Sequence, residues 1–235
     1  MKQLTCKIPA RLMASFHDEC MPIAYMISED TVDIFLHGIV GDEYTQTDSL
    51  SIAMLLASNK GKAVNLRVNS PGGLAYDGVA MFNAIGSHDG PTTGIIEGMA
   101  GSAASLAVLA CDTVKCYASA VFHPHYSIVM AVGHQADVRE ALAIQMVLDT
   151  DLEKRYAEES GQTIDEVKKQ LMGPNGDGTR MSAEIALAAG YVNEIIGHKK
   201  QKQVAHVTGN PLALVMEKKR QRMLNAMSAV ARLDR

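Results

Sequence analysis

Gly98-Met99-Ala100-Gly101-Ser102-Ala103-Ala104-Ser105 sets one hydroxyl, that of Ser102, among residues too small to cover it. Thr92 to Ile96, just before it, reads as a short buried strand running into glycine, and Leu106 to Ala110, just after it, is apolar and helix-compatible. Ser102 therefore stands where a strand turns into the first turn of a helix. Unpaired amides and the positive end of the helix at such a place stabilise a developing oxyanion. The plainer alternative is a tight turn whose serine only caps the helix.

A second segment lies one unit upstream. Ala63 to Asn69 reads as a strand that breaks at Ser70-Pro71-Gly72-Gly73, with Leu74 to Ile85 helical beyond it. Proline fixes one φ angle and the two glycines leave the backbone amides uncovered, which suits an oxyanion hole or a substrate-pairing edge. Two such turns on consecutive strands bring amides and hydroxyl to one sheet edge, where α/β folds place ligands.

Working outward, Thr31 to Gly38 alternates as a strand and Thr45 to Ser58 reads as a helix. Thr113 to Tyr117 and Ala120 to Phe122 suggest further strands. Repeated βα units predict an α/β fold, a mainly parallel layered sheet with right-handed crossovers. Gln135 to Ser160 is a long helical run with Val138, Leu142, Gln145, Leu148, Leu152 and Tyr156 close to one stripe. Thr163 to Met172 is a second helix, Gly173 to Gly178 a loop, Ser182 to Ala189 a short helix and Tyr191 to Ile196 a closing strand. Three regions are expected: a lead-in over 1–30, a catalytic domain over 31–197, and a basic linker with an amphipathic helix, Leu212 to Leu233, over 198–235.

The 235 residues, 47% of them hydrophobic, suffice for one large domain. The net charge of −4 hides an asymmetry, because nine basic residues from Lys199 onward face only two acidic ones. A solvated helix face is the plain reading of that run, and a contact with an acidic neighbouring subunit or nucleic acid the sharper one; nucleic acid is disfavoured. Cys6, Cys20, Cys111 and Cys116 lack metal-ligand spacing and read as reduced thiols. There is no signal-peptide core and no apolar run of membrane-spanning length, so a cytoplasmic protein is expected.

Five motifs occur in order: Asn69-Ser70-Pro71-Gly72-Gly73; Gly98 to Ser102; Gly133-His134-Gln135-Ala136-Asp137-Val138; Ser160-Gly161-Gln162; and Met181-Ser182-Ala183 with Ala186 and Gly190. In this order and spacing residues 30 to 197 resemble the Clp protease proteolytic subunit family. The run from Gly98 through Val114 is more similar to phage and prophage relatives, thought to be prohead maturation proteases.

The resemblance implies a serine endopeptidase on a crotonase-like, ClpP-like layered fold with a protruding handle helix, here Gln135 to Ser160. It implies Ser102 as nucleophile and Gly72, Gly73 and Ala103 as oxyanion-hole amides. The base is His125 by ungapped register from Ser102 and from Gly133, with His123, which follows two apolar residues and precedes a proline, as the alternative. Asp177 is the only carboxylate in the window before Met181-Ser182-Ala183 and is expected to orient the imidazole. His37, His88 and His134 have no such support and read as surface or structural residues.

No metal or organic cofactor is needed for such acyl transfer. Polypeptide substrates and self-association into rings, stacked heptamers among them, are implied. The site of action would be the bacterial host cytoplasm or a phage procapsid. An unfoldase ATPase (AAA+) or capsid and scaffold proteins would be partners, although the first 30 residues do not resemble the family's axial-loop segment. The rival readings are a non-catalytic scaffold with the same fold and a crotonase-type acyl-CoA enzyme, for which Glu97 is the only nearby carboxylate.

Overall fold

The structure, a computed structural model, describes residues 24–42 and 47–197. The chain divides after Gly197, and the described residues belong to the first unit. The expected basic linker and C-terminal helix, most of the lead-in, Cys6 and Cys20 lie outside the described residues.

Eight strands form one sheet: β1 (Tyr25–Ile27), β2 (Thr31–Val40), β3 (Ala63–Gly73), β4 (Thr92–Gly101), β5 (Thr113–Tyr117), β6 (Val121–His123), β7 (Met181–Ser182) and β8 (Glu194–Ile196). The main path runs β1-β2-β3-β4-β5-β8, parallel except for β1, with β6 added beside β4 and β7 beside β6. The helices are α1 (Ser49–Ser58), α2 (Ala75–Gly86), α3 (Ala103–Leu109), α4 (Gln135–Ser160), α5 (Ile164–Met172) and α6 (Ala183–Ala188). The expected α/β fold of βα units is thus present.

Period-two alternation places Val32, Ile34 and Leu36 of β2 with Val64, Leu66 and Val68 of β3 on one buried face. All seven residues of α3 are buried, and this helix packs against β3, β4 and α2. Burying this apolar set is the main driving force for the layer. Cys111 and Cys116 are buried free thiols, pushed up by burial to about 12 and about 11, so both stay protonated and unreactive at neutral pH.

Two expected strand ends are corrected. The strand β3 does not break at Ser70 but runs through Pro71 to Gly73, and β4 extends five residues past Ile96 to Gly101. Partners distant in sequence hold these extensions: Ile39 and Val40 of β2 pair with Gly72 and Gly73, and Met99 to Gly101 pair with Val121 to His123. The ladder shifts register between Val68 and Ser70, which lets a proline sit in a strand. The helix α1 starts at Ser49, where Asp48 accepts a hydrogen bond from the Ser51 N–H. The closing strand is only β8, because Tyr191 and Val192 turn into the core instead.

The bounds of α4 are those expected, Gln135 to Ser160, set by a reciprocal His134–Asp137 cap and by Gly161 at φ 71°. Its stripe is only half used. Leu152 and Tyr156 are buried, while Val138 and Leu142 are exposed along with Ile144, Met146 and Val147. Among the described residues no helix is long and apolar enough to cross a membrane.

Candidate active site

Strand β4 is shared lengthwise, its first half pairing with β5 and its last three residues with β6. This split carries Ser102 out of the sheet between the end of β3 and the end of β6, where its N–H donates to the His123 carbonyl at 2.9 Å. Ser102 has φ 50° and ψ −127°, and it is the sole non-glycine residue with positive φ among the described residues. Backbone strain of this kind clusters at active sites and ligand clamps, which makes Ser102 the candidate functional residue. Its hydroxyl makes no capping bond to α3. The plainer reading of this serine as a helix cap therefore fails.

The turn is tight because glycine faces it. A Cβ on Gly72, itself at φ +98°, would lie 2.4 Å from Ser102 Cβ, 2.7 Å from the Gly101 oxygen and 3.0 Å from the Ala103 nitrogen. The missing side chain keeps open a space bounded by the hydroxyl-bearing carbon and the Ala103 amide. Ala103 is the first residue of α3, so its N–H has no carbonyl one turn back to meet. The Gly72 N–H is directed to Ser70 Oγ at 3.1 Å. Gly73 is pressed against the Val40 carbonyl, where a Cβ would come within 2.0 Å of the oxygen. Of the expected oxyanion donors, the Ala103 N–H stands at the free start of α3 beside Ser102, while the Gly72 N–H is engaged by Ser70. Gly72→Ala is expected to cost about 2–4 kcal/mol through its φ and the clash, seen as a lowered denaturation midpoint. Gly61→Ala, at φ +73° but with nothing within 4 Å, carries only the smaller conformational cost.

His123 and His125 stand on one side, ring centroids 5.3 Å apart. His123 is buried and its Nε2 is 2.8 Å from the backbone carbonyl of Asp177, an acceptor, so Nε2 carries the proton. His125 is half-buried and its Nδ1 lies 2.6 Å from the Tyr126 carbonyl, which places the proton on Nδ1 and leaves Nε2 with a free lone pair. The chain beyond His125 is fastened to α4: Tyr126 Oη donates to Glu153 at 2.8 Å, the Ser127 N–H and hydroxyl donate to Asp149, and Gln145 donates to the Ser127 carbonyl.

Asp177 lies in the expected loop, made by three glycines with positive φ, Gly173, Gly176 and Gly178. Gly178 fits only without a side chain, since a Cβ would be 2.2 Å from the Pro124 oxygen and 2.5 Å from His125 Cβ. The loop is therefore seated on the histidine segment. The Asp177 carboxylate, half-exposed, bonds Arg180 at 3.0 Å, which holds it below its ordinary value. What Asp177 gives a histidine here is its backbone carbonyl, to His123. His123, His125, Asp177 and Arg180 line one cavity of about 710 Å³ against α4, which Ser102 does not line.

Burial lowers the pKa of His123, the carbonyl of Asp177 opposing that shift. Below about pH 6.5 the unfolded chain then takes up the proton that folded His123 refuses. Stability is expected to fall as pH drops from 7 toward 5, measured by denaturant midpoints. His123→Gln, which keeps a donor for Asp177, should flatten that slope.

The remaining candidates sort clearly. Glu97 is engaged by Arg67 at 2.6 Å and His37 at 3.1 Å on the sheet surface, with Arg67 also bonded to Asp33. It is not a free acid–base group. His88 donates from Nε2 to the Lys62 carbonyl at 2.9 Å and His134 caps α4, both structural roles. Sequence reasoning passed over Ser105 and Tyr156, whose hydroxyls are 2.7 Å apart beneath the Ser102 turn. The available signal was a second serine one helical turn after Ser102.

A family model described as Clp protease matches residues 19–199. Among solved structures, a mutant ClpP1 from Listeria monocytogenes has the same fold at a TM-score of 0.60 and 17% identity, over 71% of this chain and 92% of that one.

Proposed function

The chain belongs to the Clp protease family, and on that premise we propose that it is a serine endopeptidase with Ser102 as nucleophile and His125 as base. The observation that carries this is Ser102 itself, strained, uncapped and facing the space that Gly72 leaves open. In the reaction His125 Nε2 takes the Ser102 proton as Oγ attacks a peptide carbonyl. The Ala103 N–H receives the oxyanion, with Gly72 and Gly73 forming the rest of that wall. The imidazolium passes its proton to the leaving amine, and water, activated by the same imidazole, releases the acyl group. Asp177 completes the triad in this reading, its carboxylate leaving Arg180 to orient the imidazole in the working assembly. An extended polypeptide laid along the end of β3 would gain affinity from main-chain pairing and tolerate varied side chains.

We propose further that copies of this chain assemble into rings. The exposed apolar residues Ile128, Met130 and Val132, with those on the first half of α4, form a surface that a second copy would cover. Within the family the phage-type reading is favoured by the run from Gly98 to Val114. It implies head maturation, with capsid or scaffold proteins as substrates, rather than degradation with an unfoldase.

One observation favours a second reading. No hydrogen bond joins the Ser102 hydroxyl to either imidazole among the described residues, and the Asp177 carboxylate is held by Arg180. A non-catalytic scaffold would have such a site. Fluorophosphonate labelling of the assembled protein, read by intact mass, decides between the two: one adduct, lost in Ser102→Ala, supports the peptidase, and no adduct on a folded assembly supports the scaffold.

A further inference from the structure

Beneath the Ser102 turn lies a polar chain that packing does not require. Ser105 is fully buried in α3 and Tyr156 is buried in the second half of α4. Ser105 Oγ is 2.6 Å from the Ser102 carbonyl oxygen and 2.7 Å from Tyr156 Oη. A carbonyl only accepts, so the one hydroxyl proton of Ser105 goes to Ser102, and Tyr156 must donate to Ser105. An alanine–phenylalanine pair would fill nearly the same space without burying two hydroxyls.

The Ser102 carbonyl also accepts the N–H groups of Ser105 at 2.9 Å and of Leu106 at 3.3 Å. Three donors therefore fix one carbonyl. Because a trans peptide is planar, fixing this C=O fixes the Ala103 N–H on its opposite side. That N–H belongs to the nitrogen 3.0 Å from the point where a Gly72 Cβ would stand. Ser102, at φ 50°, needs such restraint from outside the turn.

We propose that Ser105 and Tyr156 are positioning residues, a relay from α4 that aims the Ala103 amide at the oxyanion; this rests on the peptidase reading above. Neither touches the substrate. The relay ties oxyanion stabilisation to the seating of α4, so a disturbance of that helix would reach the turn through one hydroxyl pair.

The test compares the full-length assembled protein with Tyr156→Phe, Ser105→Ala and the double variant. Three quantities are read: the second-order rate of fluorophosphonate labelling, kcat and KM on a peptide substrate, and Tm. Each variant is expected to lower the labelling rate and kcat about tenfold with KM within about twofold, since a misaimed oxyanion donor acts only in the transition state. The double variant should lose little beyond either single one, because both act through one carbonyl. Stability should behave differently. Ser105→Ala strands a buried phenol and should have the lowest Tm, while the double variant recovers Tm and remains slow. Labelling at the wild-type rate in all three, or a rate that returns with Tm in the double variant, overturns the relay while leaving the peptidase reading intact. A wild-type protein that never labels removes that reading and the relay with it.

Discussion

Ser102→Ala is expected to abolish fluorophosphonate labelling and to lower peptide hydrolysis by on the order of a million-fold, the scale on which removing a serine nucleophile acts. The fold should survive, because the hydroxyl makes no bond to α3 that alanine would lose. Ser102→Gly sharpens the expectation. Positive φ costs a non-glycine residue about 1–3 kcal/mol, and glycine gives back about 0.5–1 kcal/mol of that in unfolded-state entropy. Ser102→Gly is thus expected to be about 1 kcal/mol more stable than wild type and as inactive as Ser102→Ala, measured by denaturation alongside labelling. A serine kept purely for structure would behave the other way, losing stability on replacement. A gain in stability joined to a loss of labelling is the mark of strain held for chemistry.

How far such a site can be read in advance depends on what fixes each part. The turn at Ser102 was legible because its causes are local: small residues, a glycine before the serine and an apolar helix after it. The limits of α4 were legible for the same reason, since His134, Asp137 and Gly161 act within one turn of its ends. The extension of β3 through Pro71 and of β4 to Gly101 was not. Proline and glycine signal a break locally, and the strands continue only because β2 and β6 supply partners from distant parts of the chain. The Asp177 loop was found by its place before Met181, but spacing does not tell a carboxylate from a carbonyl. Three positive-φ glycines turn the backbone so that the carbonyl meets His123 and the side chain meets Arg180. The Tyr156–Ser105 pair stayed hidden among apolar neighbours, where a stripe of core residues explains both positions equally well.

His125→Ala is expected to reduce hydrolysis by on the order of 10⁴-fold or more and His123→Ala by no more than about tenfold, with labelling rates following. The difference rests on which nitrogen each ring has free. His125 commits Nδ1–H to the Tyr126 carbonyl, and Tyr126 is itself held by Glu153 through its hydroxyl and by the Leu171 carbonyl through its N–H. Its Nε2 is left as an acceptor, the form a general base requires. His123 has Nε2 committed to Asp177 and burial lowering its pKa, which suits a neutral strut between β6 and the loop. The opposite result, a large loss for His123→Ala alone, would mean that the ring turns in the working assembly and releases the Asp177 carbonyl. Asp177→Asn separates the contributions further. It keeps the carbonyl to His123 and removes the charge, so it should cost about tenfold if Asp177 acts through its field. A loss near 10⁴-fold, the scale of a triad aspartate replaced by asparagine, would show that its carboxylate leaves Arg180 for an imidazole once subunits assemble.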